Sequence, residues 1–312
     1  MTRQPHDQFA KQYLEGLLSP LGEVKISQEV SSEVRQVDVY FSPSPTPPPS
    51  PPDLGLLGQI VATPCSLEPF RNQPSNTDIR NCMLKLYSLH SQLQRQAKRS
   101  NRTLTENDLP QLWILTPSAS DRLLKSFCFS RKDKWEQGVY FLGEAPKTAL
   151  IAINCLPETP ETLWLRILGK GKIQERAILE LVALARNNPL RSHALEQVAI
   201  WRVNLEMQAN PTAEERELIM TLSPAYLQWR EETLQQGLQQ GLQQGLQQGQ
   251  RMMLENIAIV RFGSVDEELT NIIDRLLQLP SREAVSLLLQ STRTELLEWL
   301  RNPELSNPKR KS

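Results

Sequence analysis

Asp38 and Glu68 are the acidic residues best placed to do chemistry. Asp38 lies in VRQVDVYF, where Val37, Val39 and Phe41 alternate with Gln36, Asp38 and Tyr40. That period-two pattern predicts a half-buried strand. A bare carboxylate between two valines needs a reason there, because an unpaired buried charge is costly. Glu68 follows in PCSLEPF, beyond a proline-rich stretch. Carboxylates from neighbouring strands that face one cleft can hold a divalent cation. Phosphodiester hydrolysis uses such an ion to activate water and a nearby side-chain cation to steady charge on the phosphate. The compact arrangement places a lysine two residues after the second acid, since side chains two apart share a face. Here that position is Phe70, and Arg71 stands one place further. On a regular strand Arg71 points to the opposite face, unless a bulge at Pro69 re-aims it. Arginine supports a phosphate, although it does not titrate as lysine does. Gln59 is a further polar candidate if the strand register differs. Plainer uses compete: Asp38 facing solvent on an edge strand, Glu68 capping a turn, and Arg71 and Arg80 pairing with Glu68 or Asp78.

The elements that must position these residues follow from periodicity. Phe9, Tyr13, Leu14, Leu17 and Leu18 recur at helical spacing up to Pro20. EVKISQEV and VRQVDVYF read as strands. Seven of the ten residues from Pro43 to Pro52 are proline, which predicts an exposed polyproline loop joining two strands. LGLLGQIVAT is expected to form the next strand, continued or bent by PCSLEPF. Ile79, Cys82, Met83, Leu86, Tyr87 and Leu89 line a helix running to about Lys98. QLWILTP, GVYFLG and TALIAINCLP are predicted strands. The turn Gly169-Lys170-Gly171-Lys172 lacks the glycine spacing and the Ser or Thr of a P-loop, and reads as a turn with solvated lysines. The basic residues Arg95, Lys98, Arg99 and Arg102 form a nucleic-acid patch or, more simply, a solvated helix end.

Helices continue from His193 to Trp229 and lead into LQQGLQQGLQQGLQQGQ. Leu234, Leu238, Leu242 and Leu246 recur every four residues, so their stripe drifts around a helix instead of forming a heptad seam. Each interior glycine costs about 1 kcal/mol relative to alanine. The segment suits a long connecting helix, or a linker that gains order by self-association; a plain spacer is the simpler reading. Met252 to Leu300 carries stripes expected to build a small helical bundle, with Gly263 as a stop.

Formal charge is zero, from 35 basic and 35 acidic residues, which excludes a general attraction to nucleic acid and leaves only local patches. Cys65, Cys82, Cys128 and Cys155 show no CxxC pair or zinc spacing with His6, His90 or His193. Free thiols, a polar N-terminus and no apolar run of spanning length lead to the expectation of a cytoplasmic protein that does not enter a membrane.

FAKQYLEGLL, QVDVYF, LEPFRNQPS and DIRNCMLKLY together resemble PD-(D/E)xK nuclease-like proteins related to the bacterial Rpn, transposase-like family. That resemblance implies an α/β fold with a restriction-endonuclease-like mixed sheet flanked by helices. It also implies an acid in the first helix, an aspartate on the second strand and a glutamate on the third, which fall on Glu15, Asp38 and Glu68. Asp38 and Glu68 would be Mg²⁺ ligands, with Arg71 an imperfect stand-in for the lysine. The RFG turn and LLEWL ending resemble a C-terminal domain of unknown function found on such proteins. The expected organisation is a nuclease-like domain over 1–205, a helical linker over 206–251, a helical domain over 252–302 and a disordered tail over 303–312. The leading expectation is a metal-dependent DNA endonuclease or transposase-related protein. The alternative is an inactive nuclease-fold scaffold that binds partners, or itself, through the LQQG helix and C-terminal region. A coiled-coil structural protein is a third reading, carried by the LQQG repeat alone.

Overall fold

The computed structural model describes residues 5–30, 35–46, 53–208 and 210–301. Two compact units divide the chain, Met1–Arg230 and Glu231–Ser312.

In the first unit, α1 (Pro5–Leu18) precedes a hairpin of β1 (Gly22–Val30) and β2 (Arg35–Pro43), followed by α2 (Leu56–Ile60) and β3 (Cys65–Pro69). Then come α3 (Asn76–Arg99), β4 (Gln111–Thr116), α4 (Asp121–Ser126), β5 (Val139–Phe141) and β6 (Thr148–Ala152). The unit is completed by α5 (Leu163–Arg166), α6 (Lys172–Ala183), α7 (Pro189–Glu206) and the start of α8 (Ala213–Phe262). The class is α/β, with one six-stranded mixed sheet in the order β1-β2-β3-β4-β6-β5. β2 runs antiparallel to both of its neighbours, β1 and β3; β3, β4 and β6 are parallel; β5 is antiparallel to β6.

Strand alternation sorts the two faces. Trp113, Leu115, Ala149 and Ile151 bury against α1, α2, α5, α6 and α7. Leu112, Ile114, Leu150 and Ala152 bury against Ile79, Cys82 and Leu86 of α3 and Leu123 of α4. Strands apolar on both faces are what a sheet covered by helices on both sides requires. Leu218, Leu222 and Ala225 of α8 belong to the first of these cores, so the unit reaches past the boundary expected at residue 205.

LGLLGQIVAT is not a strand. Gly55 takes a φ of 52°, and Leu56, Leu57 and Ile60 then bury at helical spacing to form α2, so β3 starts only at Cys65. The proline-rich stretch therefore leads into a helix, and its residues 47–52 lie outside the described residues, as does the tail 303–312.

The second unit contains the later part of α8, α9 (Glu267–Leu276), α10 (Ser281–Gln290) and α11 (Arg293–Arg301). Leu254, Ala258, Leu269, Ile272, Ile273, Leu276, Ala284, Leu288 and Leu296 form its core. Gly263, at a φ of 88°, ends α8, a left-handed position that suits glycine. Among the described residues, no helix is long and apolar enough to cross a membrane.

Candidate functional site

β2 and β3 share a short ladder: Phe41 opposite Cys65, Tyr40 opposite Ser66 and Val39 opposite Leu67. One step beyond its end stand Asp38 and Glu68. There the Asp38 amide donates to Oε1 of Glu68 at 3.3 Å. Backbone pairing has given way to a backbone–carboxylate contact that brings the two acids together.

Each acid is met by a lysine from a helix. Lys85 Nζ of α3 lies 2.7 Å from Oε2 of Glu68. Lys11 Nζ of α1 lies 2.7 Å from Oδ1 of Asp38 and 3.1 Å from Oδ2 of Asp7. Glu68 is 1% exposed, and the Cys82 thiol, 3.8 Å from its Oε2, closes another side. α3 is placed by a capping box: Ser75 accepts from the Asp78 amide while the Asp78 carboxylate accepts from the Ser75 amide. Opposite Asp38, β1 is distorted. Ile26 pairs with Val39 and Gln28 with Val37, but Ser27 between them takes a φ of 53° and buries a hydroxyl that has no partner among the described residues. Strain of this kind gathers at functional sites.

The electrostatics follow from burial and proximity. Desolvation, then the Asp38 charge, pushes the Glu68 carboxyl up to about 8, and Lys85 offsets only part of that rise. Burial pulls the Lys85 ammonium down, but the charges of Glu68 and Asp38 outweigh it and leave Lys85 raised. Lys11 is raised in the same way: burial opposes, while hydrogen bonds and charges of Asp38 and Asp7 prevail. The two effects on the Glu68–Lys85 pair pull apart, since a neutral Glu68 would not raise Lys85. The direction that stands is the upward one for Glu68, set by its near-complete enclosure.

The other expected site residues lie elsewhere. Arg71 does not join the acids. Phe70 keeps the face of Glu68 and packs with the α3 core, so Arg71 emerges on the opposite side. It donates to the Gly169 carbonyl at 3.1 Å and to Gln174 at 3.3 Å, stands 5.6 Å from the Trp201 ring and approaches Glu214. Glu15 is exposed on α1; Lys11, one turn earlier, is the residue that reaches Asp38. Gln59 is exposed on α2. Gly171, at a φ of 64°, precedes α6, and Lys170 pairs with Glu214 at 2.7 Å, so GKGK is a turn with an engaged lysine.

Lys85 and Lys11 escaped the sequence pattern because it sought a lysine on the strand of Glu68. A signal was present. Cys82, Leu86 and Leu89 form a buried stripe, and Lys85 sits on it, three residues after Cys82 and four before Leu89. A charge on an apolar stripe asks for a buried partner. Lys11, 8% exposed, does the same among Ala10, Tyr13 and Leu14.

A divalent ion can be tested against these groups. Glu68 is crowded by the Asp38 charge, and a cation between the two would relieve that repulsion. Among the described residues no group of three or more His, Cys, Asp or Glu side chains is set to hold a metal ion. Mg²⁺, however, commonly takes one or two carboxylates and completes its shell with water and substrate phosphates, so the two acids fit it. Comparisons with models of known families, with curated proteins and with solved structures found no match.

Proposed function

We propose that the Asp38–Glu68–Lys85–Lys11 cluster is the centre of a metal-dependent phosphodiester hydrolase acting on DNA, of the PD-(D/E)xK kind. The observation that carries this reading is the meeting of two acids on adjacent strands, just past the end of their ladder, with an ammonium from each flanking helix. The mixed sheet supports it as a restriction-endonuclease-like core, with the aspartate on the second strand and the glutamate on the third.

Asp38 and Glu68 would hold Mg²⁺, which supplies polarisation of the phosphate and a more acidic water. Lys85 takes the role of the lysine missing from position 70. An ammonium has three donors; Glu68 takes one, leaving others for anionic oxygens. Lys11 fixes the Asp38 carboxylate. The two lysines offset the charge of Asp38 and Glu68, while Asp7, paired with Lys11, adds a third carboxylate, so the approach of a polyanion relies on the charge of the bound ion. Arg95, Lys98 and Arg99 are exposed on the same helix as Lys85, about 15–20 Å along it, where they can contact the DNA backbone.

The second reading is an inactive scaffold. It is favoured by the completeness of the ion pairs, since each acid already has a lysine at 2.7 Å.

Plasmid cleavage by the purified full chain, with Mg²⁺ or Mn²⁺ and with chelator, separates the two. The nuclease reading expects nicking that requires the ion and falls by about 100-fold or more in Asp38→Ala and in Lys85→Ala. Equal activity in wild type and Asp38→Ala would mark a contaminant and overturn the proposal. No activity in a folded wild type leaves the scaffold.

A further inference from the structure

The exposed apolar face of the second unit carries an inference of its own, independent of the carboxylate cluster. From Thr233 to Gln250 the chain contains no charged residue, and this stretch is helical throughout. Leu234, Leu238, Leu242 and Leu246 are 64%, 72%, 65% and 59% exposed. Three residues after each stands a glycine, and a side chain added at Gly237, Gly241, Gly245 or Gly249 would meet nothing within 4 Å. The helix thus displays a ridge of leucines beside a trough of glycines, both repeating every four residues. Helices pack by fitting ridges into grooves, and rows four apart on both partners give one of the preferred crossings.

We propose that this helix is the self-association surface of the protein and that its occupant is the same helix of a second copy. The ridge of one copy fits the trough of the other, and the fit is reciprocal because both carry the same relief. The absence of charge points the same way. Nothing on this stretch repels an identical partner, and nothing on it selects a charged one. Four glycines disfavour a solitary helix, so the segment gains most where a partner covers it. A step of four residues overshoots the helical turn by about 40°, so the contact winds with a right-handed sense, opposite to a heptad coiled coil.

Sedimentation equilibrium of the full chain tests this across a range of concentrations. The wild type is expected at twice the monomer mass. Leu238→Gln/Leu242→Gln, which flattens the ridge, and Gly241→Leu/Gly245→Leu, which fills the trough while favouring the helix, are both expected to weaken the dimer by at least tenfold. Circular dichroism of the glycine variant should show unchanged or higher helix content, which separates loss of pairing from loss of fold. A wild type that stays monomeric at its solubility limit overturns the proposal. So does a dimer that survives both double substitutions. DNA cleavage can fail without touching either result.

Discussion

The carboxylate cluster of the sheet and the glutamine-rich part of α8 break the usual distribution of side chains in opposite senses. At Glu68 an ionisable carboxyl is enclosed to 1% exposure; from Leu234 to Leu246 four leucines stand in the open. Buried charges and exposed apolar rows are the departures that carry information, because neither forms without a reason. The sheet resolves its departure within the chain, by bringing Lys85 and Lys11 to the two acids. The helix has no such internal answer. One inversion is therefore held by ion pairs whose strength depends on pH, and the other invites an identical surface.

The sharpest way to break the first half of that contrast is Lys85→Met. Removing one member of an enclosed ion pair costs about 3 kcal/mol or more. Glu68 escapes part of that cost by taking up a proton, so the loss depends on pH. Its folded value, about 8, lies above the ordinary 4.5. The folded state thus holds this proton more tightly than the unfolded state does. The stability it contributes is full below pH 4.5 and is lost as pH rises through about 8. Without Lys85 the carboxyl rises further, so urea denaturation should show a deficit that is level from pH 5 to about pH 7 and grows as pH rises above 8, where the wild-type carboxyl has released its proton and the variant's has not. A deficit that does not vary with pH would mean that Lys85 acts through packing alone.

Arg71→Ala sharpens the contrast by separating a structural charge from the cluster. Its guanidinium ties the end of β3 to Gly169 and Gln174, and loss of these bonds should cost about 1.5–3 kcal/mol. Cleavage per folded molecule should stay at the wild-type level. A loss of cleavage with intact stability would return Arg71 to the chemistry.

The smallest effect is expected at Gly249→Ala, the last of the glycine row. In the dissociated chain, where open space surrounds the new methyl group, helix stability should rise by up to about 1 kcal/mol, read as a higher helical signal on heating at concentrations below those that pair the helices. A decrease would show that a neighbour needs that space.

Much of the sheet was legible in the sequence, because Val37, Val39 and Phe41 alternate and the runs of β4 and β6 are apolar on both faces. LGLLGQIVAT is ambiguous in sequence, since a short apolar run carries no period that separates strand from helix; the turn at Gly55 and the helical spacing of Leu57 and Ile60 make it a helix. Of the candidate site, Asp38 and Glu68 could be picked out from strand logic. The lysines could not, because a strand pattern looks along the strand, whereas Lys85 and Lys11 arrive from helices that only tertiary packing sets beside it. For Arg71 the alternation rule already pointed to the opposite face, and no bulge at Pro69 reversed it.

The capping box at the head of α3 has a consequence for how this site tolerates change. Ser75 and Asp78 fix the phase of the helix, and Lys85 comes seven residues after Asp78, close to two full turns. The address of the ammonium is counted from that cap and not from β3. Lengthening the connection ahead of Ser75 leaves the count intact, whereas a single residue inserted between Asp78 and Lys85 swings the amine about 100° away from Glu68. Drift in length is thereby confined to the approach, while the seven-residue interval admits replacement but not insertion.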